Sequence, residues 1–538
     1  MLIRSLKQLP AKVTMSLARL EGGSKRLFDI GRKEKNRKTG GYLTVFLALS
    51  LPIILSLIFV LLDGARRNAV RLQTEFAADT AVNSVLAEFN KELLSQYDLL
   101  MIDTTYGTGG VSAENTCQHL QKYFEKNLSS GGVQGIKRAD FTRTALTSVH
   151  ISQTRFALDD GCGVLREQVN AYLSAEPIGN LTSSLLKNVS GYNGFGFDLT
   201  EWSRRKSQNE QEIQRGLEEA RNRRESIGET EEDAEEIRKS EEAKQTAQDS
   251  DIDEEHAADP WKEINAAWQT PVLKLALGGD GSISGEKVST GELLSSRSWN
   301  TGTGYVTENS HHYTQADAVG MNVYIAEKCG NYQHPLEKGK LCYQMEYLLH
   351  GRESDRENLE KTAEMLLLVR LAANTMFVMN DAAKRNEARA WGIILALLCF
   401  NPELEEAFTN ALLLGWSFAE SVYDLRTLFA GGSVPIMKSS DSWKTSLLSI
   451  FKPGFWQESG GKGGSGLDYT GYIRILLFME NGDTRDYRLM DVMEMDIRKA
   501  EGSNSFRMDG CMDSFLVEAV VSSAFGYSYQ IQREGGYE

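Results

Sequence analysis

Tyr42 to Leu62 reads YLTVFLALSLPIILSLIFVLL, an apolar run without a charged side chain. A helix of that length just crosses the roughly 30 Å hydrocarbon core of a bilayer, so the run predicts a membrane span over 42–62. The pattern then changes period without a break. From Ala65 to Leu100 there is neither Pro nor Gly, and Val70, Phe76, Ala77, Ala81, Val85, Leu86, Phe89 and Leu93 fall mostly three and four residues apart. That spacing predicts an amphipathic helix continuing the span. Its apolar stripe either rests on the chain's own globular part or packs on neighbouring subunits, with Phe76, Val85 and Phe89 as the candidate partner-packing face.

Beyond the helix the pattern is mixed, with a strand over Thr147–Ser152 and an amphipathic helix over Val164–Leu173. Residues 201–260 are dominated by charged and amide side chains. Ile213, Ala220, Ile227 and Ala234 repeat at seven, but Gly216, Arg223 and Thr230 leave the second seam of a coiled coil without apolar residues. The segment therefore reads as a solvated helical or disordered insertion. Residues 280–313, rich in Gly, Ser and Thr, read as a loop. Helix signals then strengthen. Ser354 and Glu357 have capping-box spacing ahead of an apolar run to Met379. Asn380 or Asp381 can cap a second helix, and Asn401-Pro402 can open a third that ends at Gly431-Gly432. Ala390–Phe400 is too short to span a bilayer and reads as a core helix.

The end of the chain predicts a strand over Tyr472–Met479, a turn at Asn481-Gly482, a helix over Tyr487–Lys499 and two or three strands to Gln532. The expected fold class is α+β: one N-terminal transmembrane helix continuing into a long amphipathic helix, a mostly helical central ectodomain, and a small C-terminal α+β unit. The expected divisions are a basic cytoplasmic segment (1–41), the span (42–62), the amphipathic helix (63–106), a mixed α/β part (107–200), the charged insertion (201–260), a mainly helical domain (261–453), a Gly-rich joint (454–466) and the C-terminal unit (467–538).

Charge supplies the orientation. Residues 1–40 hold eleven Lys and Arg against three Asp and Glu, a net +8, which leaves −23 for the rest of a chain whose total is −15. Basic residues stay on the cytoplasmic side, so the reading is a single-pass protein of the cell membrane, N-terminus cytoplasmic and C-terminal domain extracytoplasmic. A cleaved secretory signal fits less well, because the basic region and the apolar run are both too long. An acidic external part argues against nucleic acid as a partner; membrane lipid is the expected one.

No motif makes a case for an enzyme. Ser184 and Lys187 have a Ser-x-x-Lys spacing without the companion motifs, and Gly415–Ala419 resembles a nucleophile elbow only inside a helical pattern. Asp249, Asp251 and Asp253 start like a calcium loop, but Glu254 and Pro260 occupy its Gly and Glu positions. Six cysteines are scattered along the chain. Cys329 and Cys342 are the nearest pair and a candidate disulfide; with His334 they match no structural-zinc spacing. The reading is of no catalytic site, no metal and no cofactor.

Lys38-Thr39-Gly40 followed by Gly41-Tyr42-Leu43-Thr44-Val45-Phe46-Leu47-Ala48-Leu49-Ser50-Leu51-Pro52 resembles the start of TadE/TadG-type pseudopilins of the tight-adherence (Flp) pilus system. Gln73 and Ala77–Ala81 resemble the Ala-rich helix that follows there. The resemblance implies a prepilin-type processing site at Gly40 or Gly41, a pilin-like spine and other pilus-system or cell-surface proteins as partners. Related prepilins carry Glu five residues after the cleaved Gly, whereas this chain has Val45 or Phe46, which points to an anchored accessory component rather than a major filament subunit. Glu346-Tyr347, Gly351, Ser354-Asp355, Trp416, Ala419–Ser421, Asp424, Asp468-Tyr469, Tyr472 to Arg485 and Asp491 look like an uncharacterised group of Gram-positive bacteria with such a start. The expected function is a membrane-anchored, extracytoplasmic, pseudopilin-like structural component of a Tad-type pilus or secretion apparatus. The alternative is a ligand-binding or sensing ectodomain on the same anchor.

Overall fold

The helix-forming sequence that follows the basic segment stays helical for 47 residues, Gly40–Leu86 (α1). The computed structural model describes residues 40–129, 142–175, 199–224, 231–250, 252, 254–278, 282–303, 314–457, 460–461 and 464–537. Pro52 lies inside α1; its ring removes one helix hydrogen bond, which is tolerated in helices of membrane-span type. Residues 41–62 are exposed except for Ser50, and this stretch is long and apolar enough to cross a membrane. Burial begins at Arg66 and returns at Val70, Thr74, Ala77, Ala78, Ala81, Val82 and Val85, the stripe of a helix lying on a domain.

The helix does not continue to Leu100 as its spacing predicts. It stops at Leu86, and Asn90 caps a short second helix, Lys91–Tyr97 (α2), by accepting from the Leu93 amide. The break lets Phe89 form an antiparallel bridge with Ile102. Ile102–Asp103 (β1) then enters a sheet with Ala145–Phe156 (β2), Cys511–Ser523 (β3) and Tyr527–Gly536 (β4). All pairings are antiparallel and β3 is central: Met512 pairs with Ile102 on one edge and Phe156 on the other, and β4 extends the Ile102 edge from Ser514 to Ser523. Phe515, Val517, Ala519 and Val521 alternate along β3 onto one face. There they meet α1 and Ala113–Ser129 (α3), which contributes Leu120, Phe124 and Leu128.

The second and larger core is helical. Asp159–Ala175 (α4), Leu199–Arg224 (α5), Glu231–Gln248 (α6), Gln315–Lys328 (α7), Gln344–His350 (α8), Asp355–Asn380 (α9), Ala382–Leu398 (α10) and Glu405–Phe429 (α11) build it, with Tyr469–Met479 (α12) and Gly482–Ile497 (α13). The expected caps form: Ser354 accepts from Glu357 N, Asp381 from Lys384 N, and Asn401 from Glu403 N with Pro402 next. α9 and α11 are the central pair, α11 being buried almost all round.

Five expectations are corrected. Residues 472–479 are helix, not strand: Asp468 accepts from Gly471 N, and Tyr469, Tyr472, Ile473, Leu476 and Leu477 are buried at helical spacing. Asn481 caps α13 rather than turning a hairpin, and the segment 467–538 is divided, its helices joining the helical core while its strands pair with β2. The charged stretch 201–260 packs. Trp202, Ile213, Ala243, Ala247 and Ile252 belong to the main core, and a Cβ on Gly216 would collide with Leu404. Trp202, Asn209 and Gly216, seven residues apart, fit against α11 and the turn before it, so the partner of this face is α11 and not a second coil. The Gly-rich joint is a close contact: a Cβ on Gly460 would stand 2.3 Å from the Arg426 carbonyl carbon.

Candidate functional site

Two regions concentrate paired charge: the foot of the sheet, where α1 leaves it, and the charge lattice of the helical core. At the foot, Arg66 is buried and its Nη2 donates to Ser523 Oγ at 2.8 Å and to the Ala524 carbonyl at 2.7 Å. This guanidinium fastens α1 to the end of β3. β4 then runs alongside α1. The Arg67 guanidinium lies 5.3 Å from the Tyr527 ring, Tyr529 donates to Glu75 at 3.0 Å, Arg533 meets Asp79 at 2.6 Å, and Tyr537 reaches the Leu86 carbonyl at 2.5 Å.

The candidate packing face of α1 is not one face. Val85 is fully buried in the protein's own core, and Phe89 is half-buried at its bridge with Ile102. Phe76 is 71% exposed and Leu72 56%, so these two remain outward. Most of the stripe thus rests on the chain's own domain. Gly40 and Gly41 stand at the start of α1, and Gly41 is in open space.

In the helical core Arg370, Glu420, Asp424 and Lys438 are all buried. Arg370 Nε and Nη2 donate to Asp424 Oδ2 at 3.1 and 2.9 Å, and Lys438 Nζ donates to Asp424 Oδ1 at 2.7 Å and Glu420 Oε1 at 2.6 Å. Glu420 also accepts from the Lys444 and Thr445 amides, and Arg370 from its remaining nitrogen reaches Tyr472 and the Pro435 and Ile436 carbonyls. Two acids thus face two cations, with further donors on the remaining lone pairs, as buried charges require. The lattice ties α9, α11, α12 and the 435–445 connection together.

A parallel set surrounds α8 and α13. Asp355 accepts from the Cys342 and Tyr343 amides, Asp491 from Tyr347 and the Ser295 amide, and Asp496 from Tyr97 and Gln344. Arg297 joins Glu494 to Asp509. Glu346 differs. Its Oε1 accepts from the Tyr332 amide at 2.8 Å and Tyr469 at 2.7 Å, but its buried Oε2 has no partner. Burial pushes this carboxyl up to about 7, with Tyr469 and the Tyr332 amide working in the opposite direction. Tyr332, Tyr343, Phe429 and Tyr469 stack edge and face around one another beside it.

A cluster that the spacing did not reveal lies past the end of α1. Glu88 accepts from Tyr123 at 2.7 Å and Tyr106 at 2.9 Å, and is 3.0 Å from His119 Nδ1, whose ring stacks on Tyr106. Its members come from α3 and from the turns flanking β1, so no local pattern announces it.

Cys329 and Cys342 are free thiols, Cys329 being buried; the expected disulfide is absent between them. Among the described residues no group of three or more His, Cys, Asp or Glu could hold a metal. Ser417 is buried in α11 and donates to the Leu414 carbonyl; Ser184 and Lys187 lie outside the described residues. The model of a family of unknown function (DUF5702) matches residues 250–523, the stretch that holds both buried charge sets. No curated protein and no solved structure matches.

Proposed function

The chain belongs to the family of unknown function DUF5702, and we propose that it is a non-catalytic, membrane-anchored structural component whose domain stands outside the cytoplasm. The reading extends to a pseudopilin-like accessory part of a Tad-type pilus or secretion apparatus. One observation carries it. A single helix of 47 residues is bare and apolar over its first half and supported by its own sheet over the second. An exposed apolar half needs lipid or protein around it, and a rigid continuation transmits the position of the span to the domain. The basic residues before Gly40 favour an outside domain. Apart from Glu346 Oε2 and Arg297 Nε, the buried charge sets are met by internal partners and act as fasteners, leaving Leu72 and Phe76 as the outward large apolar side chains of the supported half.

Protease added to intact protoplasts should digest the domain and leave a small N-terminal fragment. Phe76→Glu should keep insertion and folding but lose co-purification with other components of the apparatus. Protection of the C-terminal region would overturn the topology, and a wild-type protein without partners would overturn the pilus reading. The second reading, a sensing ectodomain, is favoured by Glu346, a buried carboxyl poised near neutrality inside an aromatic cluster.

A further inference from the structure

Lys384 is a cation held by rings. It is the third residue of α10, where its backbone amide donates to the Asp381 cap. Its Nζ stands 4.1 Å from the centroid of the Trp416 ring and 4.6 Å from that of Trp443. The two indoles meet at 83° with centroids 5.5 Å apart, so they wall a corner with the ammonium in it. Both tryptophans are buried, and Lys384, half-buried, is the member of the group that reaches solvent. The walls are fixed from behind. Trp416 Nε1 donates to Thr445 Oγ1 at 3.1 Å, Thr445 Oγ1 donates to Glu420 at 2.8 Å, and Phe377 packs 5.5 Å from Trp443.

The corner fits a lysine poorly. A primary ammonium carries three N–H donors and is strongly hydrated. Among the described residues no acceptor bonds Lys384 Nζ. Burial pushes its amine below the ordinary lysine range, while Glu387, Glu420 and Asp381 act on it only through space and in the opposite direction. Ring faces attract the charge but take N–H groups less well than oxygen does. A quaternary ammonium has no N–H to satisfy, and aromatic walls are what recognise such a group. The lysine can also leave. Its stem is flexible, and exposed Glu387 lies three residues on, within ion-pair reach along a helix. Swinging the side chain exchanges ring faces for a carboxylate without moving α10.

We propose that Trp416 and Trp443 form a cation cage for a quaternary ammonium group, with Lys384 as the resident plug that the ligand displaces. The cage lies between α10, α11 and the 435–445 connection, and it stands independently of the anchor and of the pilus reading. Trimethylammonium groups occur on free solutes and on lipid headgroups alike, and the cage addresses the part they share.

The test uses the full chain in dodecyl maltoside, with tetramethylammonium as the probe and its methyl signal followed by saturation-transfer NMR at constant ionic strength. A seated plug lowers the apparent affinity by the fraction of cages left open, so Lys384→Ala should bind about tenfold more tightly than wild type. In that background Trp443→Leu should abolish binding, and Trp443→Phe, which keeps a weaker ring face, should reduce it about threefold. Circular dichroism and urea unfolding identify the variants that fold. Choline and phosphocholine then separate the sources: tighter choline assigns a free solute, and tighter phosphocholine a headgroup. Equal affinity of wild type and Lys384→Ala, no saturable binding to either, or binding unchanged in whichever Trp443 variant folds overturns the cage.

Discussion

Arg370 and Asp424, 54 residues apart, are joined by two hydrogen bonds to one carboxylate oxygen, from Nε at 3.1 Å and Nη2 at 2.9 Å. Both side chains are buried. The other Asp424 oxygen is taken by Lys438, which Glu420 also holds. Removing Asp424 thus strips an anion from two cations that cannot reach water. Asp424→Ala should cost about 3–5 kcal/mol. The double change Arg370→Met with Asp424→Leu should cost less than Asp424→Ala alone, since it removes the stranded Arg370 charge. Urea unfolding of the purified chain measures both, and an Asp424→Ala protein of wild-type stability would refute the lattice.

Glu346 should make stability fall as pH rises. Its folded carboxyl sits at about 7 against an ordinary 4.5, so the folded protein holds a proton that the unfolded chain releases. Below about pH 4.5 both states are protonated and nothing is lost. Through the window from about 4.5 to 7 the folded state becomes progressively costlier, by about 3 kcal/mol once both states are ionised. Gln keeps the oxygen that Tyr332 N and Tyr469 address and removes the charge. The stability difference between Glu346→Gln and wild type should therefore be near zero at acid pH and grow in favour of the variant toward pH 8. A difference that is flat across that range would show that Glu346 does not titrate there.

Trp202 stacks on Trp268 at 4.8 Å between centroids and is buried against Phe418. Truncating a buried aromatic of this size typically costs about 3–5 kcal/mol. Trp202→Ala should lower the urea midpoint accordingly, whereas Arg204→Ala on the exposed side of α5 should change it little. An unshifted midpoint for Trp202→Ala would restore the picture of a detached insertion.

All six cysteines should titrate as thiols once the chain is denatured without reductant. In the native protein Cys329, Cys511 and Cys162 should react slowly. Burial pushes each of these thiols up, Cys162 to about 12, which starves them of reactive thiolate. Cys342 and Cys399, which are half-buried, should react first. A denatured chain with only four reactive thiols would reinstate a disulfide.

The sequence by itself determined what rests on neighbours a few residues away. The apolar run fixed where an exposed span-length helix begins, and Ser354, Asp381 and Asn401-Pro402 fixed three helix starts, because a cap is satisfied within three residues. The same locality misled at Tyr472–Met479, where a run rich in large apolar residues fits either period and the Asp468 cap decides for helix. Tertiary structure decided the rest. β2 finds β3 across more than 350 residues, and nothing near Ala145 specifies a partner at Ser522. The charged helix α5 is held because α11 offers Trp202, Asn209 and Gly216 a surface, which a period of seven cannot announce. Glu346 meets Tyr469 across 123 residues, and Arg370 meets Asp424 across 54. In sequence these are ordinary charged positions. Only burial, which removes water as the alternative partner, makes their pairing obligatory and turns them into the fasteners of the fold.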